Sequence, residues 1–170
     1  MPNNSEWSRA YAVQAAADWE CWLRLNAIAE LPDCQRLHFL QMACEKLSKA
    51  FLFQAGGNNP EWLRSSHAVV RKHLKTVIAY TLNRIDPNGN AARQRALIRC
   101  ANQLACEIEW LSPQCDDDGR RPSNTEYPWG ADGSLRIPAR HKFSLSESLL
   151  TNEARSVLKL LGEAIRFLVE

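Results

Sequence analysis

A chain of 170 residues that is 45% hydrophobic and 24% charged, with 7 Gly and 8 Pro, has the make-up of one globular domain with a single core. At that length roughly two thirds of the unfolded surface can be buried, so folding needs neither disulfides nor a structural metal, and collagen-like, disordered and mini-protein classes are excluded. The 21 basic and 19 acidic residues leave a formal net charge of +2, so any nucleic-acid or membrane partner has to be argued from local clusters.

The amino-terminal stretch Met1 to Ala10 is polar and lacks the basic start and apolar run of a secretion signal, which predicts a cytoplasmic protein. Apolar stretches are interrupted every few residues by Gln, Glu, Lys or Arg, far short of the roughly 20 residues a membrane span needs. Cys21, Cys34, Cys44, Cys100, Cys106 and Cys115 are scattered, with no C-x-x-C pair and no Cys/His spacing suited to zinc. Reduced thiols, no metal site and no cofactor are therefore expected.

Helical periodicity runs through nearly the whole chain and predicts an all-α protein, a five-helix up-and-down bundle. The first helix is expected over about Glu6 to Ala29, with Ala12, Ala16, Trp19 and Leu23 as its inner stripe; Pro32 then blocks continuation and Asp33 can cap the next helix. The second, about Cys34 to Ala55, repeats Leu37, Leu40, Cys44, Leu47 and Phe51 at alternating steps of three and four, and Gly56-Gly57 ends it. A loop follows to Pro60. The third helix, about Ser66 to Leu82, turns Val70, Leu74, Val77 and Ile78 inward and stops before the turn sequence Asp86-Pro87-Asn88-Gly89. The fourth starts near Asn90 with Leu97, Ala101, Leu104, Ile108 and Leu111 on one side, and Ser112-Pro113 closes it. The last, from about Asn152, buries Val157, Leu158, Leu161, Ile165 and Leu168.

The whole chain reads as one domain, interrupted by a long loop from Gln114 to Phe143. A connection of that length is uncommon inside a compact domain and is usually functional or disordered. Tyr127, Trp129, Leu135 and Phe143 would gain nothing by staying in water, so an ordered flap over one end of the bundle is expected.

The second helix contains Gln41-Met42-Ala43-Cys44-Glu45-Lys46-Leu47-Ser48-Lys49-Ala50, which resembles the Q-x-A-x-E-K-x-x-K-A helix of HEPN domains. An amphipathic helix precedes it and a helix beginning near a histidine follows it, at Ser66-His67-Ala68-Val69-Val70, as in that family. The resemblance covers Tyr11 to Tyr80, with Ala154 to Leu168 as the closing helix; the flap lies outside it. It implies a helical bundle, commonly dimeric, that binds RNA or a nucleotide. In many members it also implies a metal-independent ribonuclease of toxin-antitoxin or defence systems, with an antitoxin or another protein as partner.

The third helix makes a physical case beside the resemblance. Arg64, Arg71, Lys72 and Lys75 lie within twelve residues that hold no acid, and His67, Arg71 and Lys75 are four apart, one stripe on a helix. Like charges at that spacing repel, so either an anion such as phosphate offsets them or they form a solvated basic face. Glu45 and Lys49 suit a surface i,i+4 pair, while the family-like reading lets Lys46 or Lys49 join the basic stripe. The family's nucleases carry Arg followed four to six residues later by His. Arg64 and His67 are only three apart, so His67 is the candidate base with Arg64 beside it, and Arg136 with His141 is the alternative pair at the family's spacing. Apolar residues on a second side of the second helix, Phe39, Ala43, Ala50 and Phe53, add the expectation of a homodimer. A helical module that docks a protein through its tryptophans is the plainest alternative.

Overall fold

The computed structural model describes residues 2–56, 60–113, 123–131 and 133–170; Cys115, Arg120 and Arg121 lie outside them, as does the side chain of Arg64. Five long helices carry the fold: α1 (Asn4–Asn26), α2 (Asp33–Gln54), α4 (Val70–Ile85), α5 (Ala91–Glu109) and α7 (Asn152–Val169). Two short ones, α3 (Pro60–Ser65) and α6 (Ser144–Ser148), sit in connections, and strands β1 (Trp129–Ala131) and β2 (Ser134–Arg136) form an antiparallel hairpin. The helical class agrees with the periodicity, and no helix among the described residues is long and apolar enough to cross a membrane.

Helix α2 is the centre. Leu37, Leu40, Cys44 and Leu47 are buried as the three-four spacing requires, and Phe51 is half-buried. Ala43, Ala50 and Phe53 are buried too, because α1 packs along that side: the Trp7 and Tyr11 rings stack on Phe53 at 6.0 and 5.7 Å between centroids. Three of the four residues on the second apolar side, which pointed to a second copy of the chain, are thus covered from within the chain, and Phe39 is half-buried against the core. Gly56, with φ of +71°, supplies the left-handed residue that ends α2. Asp33 does not cap α2. It occupies the first turn, where its carboxylate pairs with Arg36 and accepts a 2.7 Å hydrogen bond from Ser146 Oγ of α6.

Helix α1 corrects the expected stripe. Its buried residues are Ser8, Ala12, Ala15, Asp18 and Trp22, while Leu23 is exposed. Two of the five are polar and have partners across the seam: Ser8 Oγ donates to the Ala50 carbonyl at 2.8 Å, and Lys46 Nζ donates to Asp18 at 2.6 Å. A stripe chosen on hydrophobicity cannot count such residues: it finds the buried Ala12, but Ala16 and Trp19 are half-buried at the edge of the true inner face, and only Leu23 is exposed.

On α4 and α5 the expected Val70, Leu74, Val77, Ile78, Leu97, Ala101, Leu104 and Ile108 are all buried; on α7 Val157, Leu161 and Ile165 are buried as expected, while Leu158 and Leu168 are half-buried and Ala154, Leu160 and Ala164 complete the inner face. Deep burial also marks the thiol of Cys44, which packs as a small hydrophobe with its pKa pushed up to about 12.

The flap is only partly the apolar lid its composition suggests. Trp129 and Phe143 are buried and clasp the His141 ring edge-on, at 5.0 and 4.7 Å between centroids, whereas Tyr127 and Leu135 are 60% and 72% exposed. Thr125 N donates to the Leu111 carbonyl at 3.1 Å, tying the segment to the end of α5.

Candidate functional site

The expected third helix divides in two, and this places the candidate base. Between α3 and α4 the chain from Ser66 to Val69 is not helical, so His67 precedes α4 and does not share a helical stripe with Arg71 and Lys75. Leu63 and Val69 are both fully buried and pull the two ends of this linker onto the core. Glu109, 4% exposed at the end of α5, fixes where α4 starts. Its Oε2 accepts from the Arg71 backbone N–H at 2.9 Å, and its Oε1 lies 3.7 Å from Arg71 Nε. A carboxylate at the first turn satisfies a backbone donor that no intrahelical carbonyl reaches and complements the positive end of the helix dipole.

The linker carries His67 to the middle of α2. Glu45, 3% exposed, accepts from Gln41 Nε2 at 3.0 Å and from Lys49 Nζ at 2.8 Å, and His67 Nδ1 stands 3.0 Å from its Oε2. Gln41, Glu45 and Lys49 follow each other by four along α2, so one buried row of the helix carries the whole network. An ionised carboxylate only accepts, so Nδ1 donates to it, and in the neutral form of the ring, which is one third exposed, Nε2 keeps the lone pair. A base with one nitrogen held by a buried carboxylate and the other left for a substrate is the orienting arrangement of acid-base catalysis.

Two lysines leave the expected basic stripe. Lys49 is buried on Glu45, with its ammonium 5.6 Å from the centre of the Tyr11 ring, and Lys46 is held by Asp18 of α1. The pair Glu45 and Lys49 is thus an interior pair rather than the surface pair its spacing suggests.

Arg71, Lys72 and Lys75 do face solvent on α4. They belong to a wider feature that the reading of single motifs overlooked. From Val70 to Cys106 the chain carries Arg71, Lys72, Lys75, Arg84, Arg93, Arg95 and Arg99 against a single acid, Asp86. All seven cations are exposed. Arg84 lies over the Phe167 ring at 4.2 Å, and Lys72, Lys75, Arg93, Arg95 and Arg99 have no ion-pair partner among the described residues. Helices α4 and α5 pack side by side, so the helical hairpin presents the cations on adjoining helices. The half-buried His73 on α4 has its pKa lowered by burial and by the Lys72 ammonium. A count of charge along the sequence, taken over 37 residues at a time, finds this stretch.

Arg136 and His141 do not form a helical pair. Arg136 ends β2, Pro138–Arg140 makes a 3-10 turn, and His141 follows it with its ring clasped by Trp129 and Phe143. Among the described residues no group of three His, Cys, Asp or Glu side chains is placed to hold a metal ion.

Comparison with protein-family models, with curated proteins and with solved structures finds no match to this chain.

Proposed function

We propose that the protein binds RNA through the α4–α5 hairpin, in the manner implied by the likeness of α2 to the HEPN motif. One observation carries the reading: a run of exposed cations, of which Lys72, Lys75, Arg93, Arg95 and Arg99 have no ion-pair partner among the described residues, follows a histidine whose ring is oriented by the buried Glu45. Repulsion among Arg71, Lys72 and Lys75 is relieved when phosphates lie among them, and the counterions released from the RNA then add to affinity. RNA suits this better than a free nucleotide, because cations spread over two helices match a string of phosphates rather than one. The test is the salt dependence of binding to a labelled single-stranded RNA. Affinity is expected to fall with a log-log slope of roughly −0.7 for each phosphate engaged, whereas a salt-independent affinity contradicts the reading.

A second reading adds chemistry, and the Glu45–His67 contact favours it. Nε2 of His67 takes the proton of a ribose 2′-hydroxyl, the 2′-oxygen attacks the adjacent phosphorus, the bond from phosphorus to the 5′-oxygen breaks, and that oxygen takes a proton from water to leave a 2′,3′-cyclic phosphate. A cation such as Arg71 stabilises the charge that develops on the phosphoryl oxygens. The buried carboxylate steadies the imidazolium formed on the way.

A further inference from the structure

On another part of the molecule a cavity of about 450 Å³ opens where the end of α1, the start of α2, α6 and the start of α7 meet. That volume falls in the range of about 300–1,000 Å³ typical of small-molecule sites. Its floor is apolar: Trp22 and Leu37 are buried there, and Leu149 and Leu158 are half-buried beside them. The Trp22 indole N–H is buried and has no hydrogen-bond acceptor.

The rim bears charge of both signs. Arg36 is already satisfied by Asp33, which also holds Ser146. Arg155 and Glu147 are exposed, and neither has an ion-pair partner among the described residues; in particular they do not pair with each other. Arg155 lies one turn into α7, its backbone N–H bonded to the Thr151 carbonyl, so its charge adds to the positive end of the helix dipole. Glu153 already places one carboxylate in that first turn, and Arg155 remains a cation beside the positive end of the dipole without an ion-pair partner of its own. Glu147 is the complementary lone anion on the same rim.

We infer that this cavity binds a small zwitterion with a large apolar body, of the class of the free hydrophobic amino acids. The carboxylate meets Arg155 at the α7 terminus, the ammonium meets Glu147, and the side chain lies on the floor of Trp22, Leu37 and Leu158. The arrangement uses both unpaired charges and the apolar surface between them. A purely anionic ligand leaves Glu147 opposed and a purely cationic one leaves Arg155 opposed. This site is independent of the RNA surface on α4 and α5.

The test follows tryptophan fluorescence of the full chain, since Trp22 lines the cavity and its ring lies 4.6 Å from that of Trp19. L-leucine and L-phenylalanine are each expected to give a saturable change. 4-Methylpentanoate, which lacks the ammonium, and isoamylamine, which lacks the carboxylate, should bind at least about tenfold more weakly, and glycine should give no change, lacking the apolar body. R155Q and E147Q, both at exposed positions, should each weaken leucine binding about tenfold with an unchanged melting temperature. Isothermal calorimetry repeats the comparison without relying on fluorescence. No saturable binding of either amino acid at millimolar concentration, equal binding of 4-methylpentanoate, or unaltered binding by R155Q overturns the proposal.

Discussion

Replacing Glu45 with leucine is expected to lower the free energy of unfolding by about 3–5 kcal/mol, the usual cost of leaving one member of a buried ion pair without its counter-charge. Both side chains of the Glu45–Lys49 pair are 4% exposed, so solvent cannot screen the ammonium left behind. Gln41 and His67 lose an acceptor in the same stroke. The double variant Glu45→Leu/Lys49→Met removes both charges and keeps apolar volume, so it should recover more than half of the loss. Urea unfolding of the two variants beside the wild type makes the measurement. A single variant as stable as the wild type would mean that the pair is not closed in solution.

His67→Ala is expected to reduce cleavage of RNA by a factor of about 10²–10⁴, the range usually attributed to a positioned acid or base. The assay is run with a chelator present, because the proposed attack by the ribose hydroxyl uses no metal. His141→Ala should leave the rate unchanged, since that ring is clasped between Trp129 and Phe143 rather than held by a carboxylate. Loss of cleavage in the His141 variant alone would transfer the chemistry to the flap. A wild type that cuts no RNA would reject the catalytic reading and leave the binding one to be judged by itself.

The long helices were legible because their inner faces are apolar and regularly spaced. Leu37, Leu40, Cys44 and Leu47 on α2, and Leu97, Ala101, Leu104 and Ile108 on α5, are buried where periodicity puts them. Local order failed where a contact distant in sequence decides the outcome. Ser8 and Asp18 face inward on α1 because Ala50 and Lys46 receive them, and nothing within α1 announces those partners. The hairpin is a different case. Asp132-Gly133 is a strong turn signal, and Gly133 does take the positive φ, at +73°, but strands of three residues are too short to show alternation.

The candidate site was half legible for similar reasons. The exposed cations of α4 stand in the sequence as an acid-free run, and their continuation on α5 was there to be counted. The partner of His67 was not readable, because Glu45 lies 22 residues away and the i,i+4 spacing of Glu45 and Lys49 looks the same on a surface as in an interior. Periodicity also runs α4 back to Ser66, since the sequence does not say that the Glu109 carboxylate, 38 residues beyond Arg71, sets the first turn.

The most direct test of RNA binding by α4 and α5 is a fluorescence-anisotropy titration of one labelled single-stranded RNA against the wild type and Arg71→Ala/Lys72→Ala/Lys75→Ala. Lys72 and Lys75 are exposed and without ion-pair partners, whereas Arg71 gives up its 3.7 Å contact with the buried Glu109 but keeps the backbone N–H bond to it. The melting temperature is therefore measured for each protein, and the pair Lys72→Ala/Lys75→Ala, which should change it little, repeats the titration. Affinity is expected to be lower by at least about tenfold at moderate salt, with a shallower dependence on salt because fewer phosphates are engaged. Equal affinity and an equal salt slope for the two proteins would contradict it, and the cations of α4 would then be a solvated face.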